Sequence, residues 1–394
     1  MGKNFDNASG SRAIEVAGNG KTHRDAMALL LIFALCYLIL PLNFFTRQSQ
    51  ASDIFSQEGS KTKGTSKISA KAKLSFGHDN NVSESRQDKL ESQFYQFYIS
   101  SDMYMLPTER TVLSLKLQDG IKYLDASLLS GESVLLNSIN LSLSHKLSKW
   151  LMPEIQGEVK GRTSVHSEGG VLPSEEAYLR GSLGLALKSA LQSDVTAKAF
   201  LHFRFTNFED FDPFDRRGPL MGLRTDVRLL PGSTVGLQYS RGETDYHKWD
   251  MISEDSEISR GDTLHDISIC AQFYGFFLFD VSYSHQNSKS DIDRYSYQAN
   301  RISVLMARCL PRDFMLQLYA LLRYKKYQST PDDSDSTQVE LEDDERGLLI
   351  VKLSKDVSED CVLEALYDLR RSSSYQEDGL YTKGVFSLSL SFQF

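Results

Sequence analysis

The chain has 394 residues, 41% of them hydrophobic and 24% charged, with a formal net charge of −8. A helical membrane protein of this size needs several runs of roughly 20 apolar residues. Only one such run exists, from Ala26 to Phe45, so a helical membrane bundle is excluded. Everything after it is polar on average yet rich in Leu, Phe and Tyr, which suits membrane-crossing strands, where only alternate residues must be apolar.

Lys21, His23 and Arg24 precede the apolar run, and Ser49-Gln50-Ala51 follows it as a small-x-small cleavage pattern. Residues 1–51 therefore read as a signal peptide. The region before the apolar run is long for a leader, so a downstream start or a retained anchor helix stays open. Cys36 has no small residue immediately before it, which argues against a lipoprotein signal. Cys270, Cys309 and Cys361 are isolated and odd in number, so no disulfide framework is expected. Residues 52–67, "SDIFSQEGSKTKGTSK", read as a short periplasmic linker.

From residue 68 to residue 394 the chain alternates apolar and polar residues. The clearest case is the end, where Phe386, Leu388, Leu390, Phe392 and Phe394 oppose Ser387, Ser389, Ser391 and Gln393. Such alternation marks a strand between two different environments. The pattern recurs about sixteen times, in segments long enough to cross a bilayer at about 9–11 residues each. Expected strands are 68–77, 92–103, 108–118, 134–146, 150–162, 175–189, 193–206, 219–230, 232–243, 263–275, 277–287, 296–309, 313–327, 346–355, 360–371 and 383–394. Connections alternate short ("LQSD", "LLPGS", "CLPRD") and long (163–174, 244–262, 328–345). Short turns at one rim and long loops at the other are the asymmetry of an all-β antiparallel transmembrane barrel. With both ends on the short-turn side the strand number is even. Sixteen fits best, and fourteen or eighteen stays open because 100–135 is irregular.

The closing "VFSLSLSFQF" resembles the last strand of bacterial outer-membrane β-barrels. That resemblance implies an outer-membrane location and makes Phe394 the C-terminal aromatic read by the barrel-assembly machinery. It also implies contact with outer-membrane lipid and lipopolysaccharide. The first strand, "AKLSFGHDNNV", is similar to the opening strand of barrels that export or assemble surface molecules.

A charge facing lipid at mid-membrane costs roughly 2–4 kcal/mol for Arg or Lys. Mid-strand charges should therefore share the lumen parity. This places Arg180, Lys198, Arg204, Arg224, Arg228, Arg301, Arg323 and Arg370 inward, together with Lys73, Lys116, Lys146, Lys160, Arg162, Lys188, Lys325 and Lys352. Glu158, Asp226, Asp266, Asp280, Glu364 and Asp368 oppose them. The sixth to eighth strands should set Arg180, Lys198, Arg204, Arg224 and Arg228 on one basic wall. A basic lumen favours anions, so the expectation is a porin-like channel for anionic small solutes or acidic saccharides. An export or assembly barrel and a closed structural barrel are the alternatives, and a homotrimer stays open.

His78, His202, His247, His265 and His285 lie in no nucleophile or metal motif, and "HDNN" reads as polar loop. No enzyme, cofactor, metal or nucleic-acid partner is expected.

Overall fold

The computed structural model describes residues 66–82, 89–125, 132–165, 177–208, 215–246, 260–328, 344–374 and 380–394. The expected leader, and the linker up to residue 65, lie outside these residues. The described chain contains sixteen strands. They are β1 (Ser66–Asp79), β2 (Ser92–Thr108), β3 (Thr111–Asp125), β4 (Glu132–His145), β5 (Leu151–Val165), β6 (Tyr178–Gln192), β7 (Val195–Phe208), β8 (Arg216–Leu230), β9 (Ser233–Tyr246), β10 (Arg260–Tyr274), β11 (Leu278–Ser290), β12 (Tyr297–Leu310), β13 (Phe314–Tyr327), β14 (Asp344–Ser358), β15 (Cys361–Ser374) and β16 (Leu380–Gln393). Each pairs antiparallel with its sequence neighbours, and β1 pairs with β16 to close the barrel.

Closure removes every sheet edge, so all backbone groups inside a bilayer can bond to a neighbouring strand. The seam is bonded at both rims. Ala70 and Phe394 exchange two backbone hydrogen bonds at one rim, of 2.8 and 3.1 Å. At the other, Asn80 donates to the Gly384 carbonyl and accepts from the Gly384 amide.

The outside of the barrel is apolar and uncovered. Leu183, Leu185 and Leu223 are 65%, 61% and 63% exposed. Water would penalise such a surface at about 25 cal/mol per Å², whereas lipid matches it. Short turns such as Glu109–Arg110, Ser193–Asp194 and Glu359–Asp360 gather at one rim and long connections at the other. The barrel is thus of the outer-membrane type, with the short-turn rim periplasmic. One of these turns, Pro231-Gly232, needs its glycine. Gly232 has φ +80, and a Cβ there would stand 2.4 Å from the Tyr274 carbonyl oxygen. Proline then a left-handed residue is the signature of a type II turn.

All sixteen expected strands are present, eleven of them two to five residues longer than expected. The largest shift lies where the sequence is irregular. A register break between Met105 and Thr108 lengthens β2 and moves β3 to begin at Thr111. Three expectations fail. Lys146 stands in the turn after β4 rather than on the lumen wall. "HDNN" is only half loop: His78 and Asp79 end β1, Asn80 and Asn81 follow it, and Asp79 is wholly buried. The parity rule for charges has exceptions. On β3, Asp119 shares the outward parity of Leu113, Leu115 and Leu117, and on β9 Arg241 shares that of Leu237 and Tyr239. Asp119 is opposite Asn137 of β4. With the Asn137 amide nitrogen turned towards it, the Asp119 carboxylate accepts a hydrogen bond of 2.8 Å. A bonded polar pair costs far less in lipid than a lone carboxylate.

Candidate functional site: the lumen wall

Inward side chains differ sharply around the barrel. On β14, β15, β16, β1 and β2 the wall is buried and its charges are matched. Glu364 of β15 is buried and accepts from Lys73 of β1 and, at 2.9 Å, from Lys352 of β14. It reaches Lys73 across the small serines of β16, where Ser387, Ser389 and Ser391 are buried too, and Lys352 on the adjacent strand β14. Nearer the outer rim Lys383 of β16 lies 3.2 Å from Asp79 of β1, the two side chains 5% and 0% exposed. Arg370 chelates Asp368 two residues before it, with Nη2 at 2.8 Å and Nε at 3.1 Å. Lys122 of β3 lies over the Phe94 ring at 4.6 Å.

The periplasmic half of β5 to β8 is also matched. Glu154 of β5 lies 2.8 Å from Lys188 and 3.9 Å from Lys198, and it accepts from Ser142 at 3.1 Å. Arg224 chelates Asp226, with Nε at 2.9 Å and Nη2 at 2.8 Å, and its guanidinium also reaches Cys270 Sγ at 3.5 Å. Lys198 and Arg224 are register partners, so these acids screen two cations placed side by side.

Two sets of arginines include members with no such partner among the described residues. In the outer half of β6 to β8, Arg180, Arg204 and Arg216 form no ion pair with a described residue. The charges acting most on Arg204 are Arg216 and Arg180. Arg204 Nε is buried without a hydrogen-bond partner among the described residues. Arg180 lies 5.5 Å from the Tyr178 ring.

The second set is a row. Arg301 of β12 is directly opposite Arg323 of β13, and Arg323 is directly opposite Arg346 of β14. Their parity is opposite to that of Ile302, Leu322 and Leu349, which face lipid, so all three point inward. Arg301 and Arg323 have no carboxylate within 4 Å among the described residues. Direct cross-strand neighbours stand about 5 Å apart at Cβ. Two like charges at that distance repel by about 1 kcal/mol in water and about 3 kcal/mol at an effective dielectric of 20. The row is relaxed by splaying the side chains or by bringing in an anion.

Of the sixteen basic residues expected inward, all but Lys146 lie on the lumen parity. Lys198, Arg224 and Arg370 are matched by acids, Arg228 sits exposed near the periplasmic rim, and Arg180, Arg204, Arg301 and Arg323 carry no acid. Glu154, Asp79, Lys383, Arg216 and Arg346 also line this wall and were not foreseen. Arg216 and Arg346 fall at strand ends that the alternation underestimates. Glu154 follows Pro153, which blurs the start of β5. Phe394 faces outward at the periplasmic rim and is exposed.

No group of three or more His, Cys, Asp or Glu placed to hold a metal occurs among the described residues. His202 packs against Phe200 on the lumen side, whereas His285 and His265 face outward. A surface hollow lined by Leu143, Ile155, Leu185, Leu187 and Leu201 lies on the lipid face.

Fold, apolar belt and loop asymmetry together define a bacterial outer-membrane β-barrel. No protein-family model matches the chain, and no curated protein matches it either. Among solved structures, it is similar to a loop-deletion form of OmpT, an outer membrane protein of Vibrio cholerae. Identity is 11% and the TM-score 0.46, over 84% of this chain and 100% of that one. It is also similar to OccAB1 of Acinetobacter baumannii, at 8% identity and a TM-score of 0.46 over 84% and 96%. OprD of Pseudomonas aeruginosa follows at 8% and 0.43, over 83% and 95%.

Proposed function

We propose that the chain is a porin-like channel whose lumen favours anionic small solutes or acidic saccharides. The observation that carries this reading is the row Arg301–Arg323–Arg346, in which register sets three arginines on neighbouring strands side by side and Arg301 and Arg323 lack a described acid. Arg180, Arg204 and Arg216 add a second cationic stretch. Guanidinium groups bind carboxylate and phosphate through paired hydrogen bonds, and a basic lining concentrates anions in a water-filled passage. Phe394, outward at the periplasmic rim, would be the residue that the assembly machinery reads.

Purified protein in a planar bilayer under a potassium chloride gradient tests the reading. The expected result is a conductance whose reversal potential has the sign of chloride preference. A silent bilayer or a cation preference overturns it. The closed structural barrel is the second reading, and the buried, matched wall from β14 to β2 favours it. That reading predicts the silent bilayer.

A further inference from the structure

The apolar belt is uneven in height. On β7 the outward positions Val195, Ala197, Ala199, Leu201, Phe203 and Phe205 run apolar for six steps from the periplasmic turn. On β13 Phe314, Leu316, Leu318, Ala320, Leu322 and Tyr324 do the same. On β9 only Val235, Leu237 and Tyr239 are apolar before Arg241, and on β11 only Phe279, Val281 and Tyr283 precede His285. On β10 the run ends at Ile267, with His265 next. Each outward step climbs about 5 Å on a strand tilted by roughly 40°. The belt over β9 to β11 is therefore notched from its outer edge by roughly 10–15 Å.

The notch has built polar walls. Arg241 and His265 are directly opposite each other. Tyr239 Oη lies 2.8 Å from His265 Nδ1, and the two rings stack. Asn300 Oδ1 accepts from Tyr283 Oη at 2.8 Å and contacts His285 Nδ1 at 2.9 Å. Lys289 stands above, across Thr263 from Glu243, and makes no ion pair with a described residue. Glu243 holds Arg241 at 2.8 Å with both side chains about half exposed. Higher still, Asp245 and Arg217 are opposite each other. The signs balance, with Arg217, Arg241 and Lys289 against Glu243, Asp245 and Asp291, but the deepest charge is Arg241, with two imidazoles beside it.

We infer that this notch holds the headgroup of a phosphate-bearing lipid of the outer leaflet, drawn below the headgroup layer that surrounds the rest of the barrel. Bare hydrocarbon cannot solvate Arg241, His265 and His285 at this depth. A phosphate lowered into the notch meets a cation, imidazoles and amide and hydroxyl groups, while its acyl chains lie on Leu237, Ile269 and Tyr283. The barrel supplies its own contrast at the same height. Asp119 and Asn137 on β3 and β4 bond to each other, present an acid and have apolar Ile121 and Tyr123 above them. The inference concerns the outer face and is independent of what passes through the lumen.

The test uses the full chain in phosphatidylethanolamine nanodiscs doped with diphosphorylated lipid A, with the dephosphorylated glycolipid as control. Retained glycolipid is counted by native mass spectrometry. The native barrel should retain the phosphorylated form over the control. Arg241→Gln with Lys289→Gln should weaken retention by about thirtyfold, since each cation near an anionic surface contributes roughly fivefold. Arg241→Lys, which keeps the charge, should retain it, and so should Asp119→Asn on the other face. Equal retention by the glutamine variant, or retention that ignores phosphate, overturns the inference. So does efficient disulfide joining of two copies through His265→Cys, because a second protein would then fill the notch.

Discussion

The wall from β14 round to β2 and the wall carrying Arg301 and Arg323 are built from the same residue types with opposite bookkeeping. On the first, Lys73, Lys352 and Lys383 each reach an acid on another strand, and small serines leave room between β15 and β1. On the second, cations are set beside cations. The first arrangement stabilises a barrel and leaves nothing for a solute to do. The second costs stability unless the side chains splay or an anion comes between them. Charge in a lumen is therefore no guide to function until its partners are known.

The comparison breaks most visibly at Glu364. Glu364→Gln leaves Lys73 and Lys352, both half-buried, without their acid, and removing one partner of a fully buried ion pair costs about 3–5 kcal/mol, an upper bound for these two. A large fall in the unfolding midpoint in urea and detergent is expected, with ion preference unchanged. Arg323→Ser should do the reverse. It removes the middle of the row and relieves up to about 1 kcal/mol of repulsion, so stability holds or rises slightly. The chloride-to-potassium permeability ratio should drop severalfold, and the drop should shrink in 1 M salt, where screening falls to about 3 Å. If both variants lose stability and neither changes selectivity, the two walls do not differ in role. The smallest effect is expected at Ser391, whose hydroxyl is buried without a hydrogen-bond partner among the described residues. Ser391→Ala should be neutral, or stabilising by at most about 1 kcal/mol, in the same unfolding experiment.

The period-two pattern was enough to place sixteen strands, because lipid and lumen impose different chemistry on alternate residues. It told which face each of Arg180, Arg301 and Arg323 takes. It could not tell what stands opposite them. Register between strands is set by turn geometry and by contacts far apart in sequence, such as Lys73 with Glu364 and Asp79 with Lys383. The buried wall was therefore invisible, and Asp79 passed for a loop residue. Alternation also gives no warning of exceptions. Asp119 sits on the lipid parity because Asn137 of the next strand satisfies it, and that neighbour is known only once β3 and β4 are aligned.

The row Arg301–Arg323–Arg346 runs at right angles to its strands, and strands in such barrels tilt by roughly 40°. It is therefore a ramp. Two strand spacings of about 4.8 Å carry it up the lumen wall by about 6 Å. A ramp on the inside of a cylinder has a hand. A rigid solute can lay two anionic groups on it and keep a third contact with the wall beside it only if its own handedness agrees. Its mirror image loses one of the three contacts. The lumen wall can thus tell left from right, and the permeation rates of paired enantiomers of a chiral dicarboxylate would reveal it.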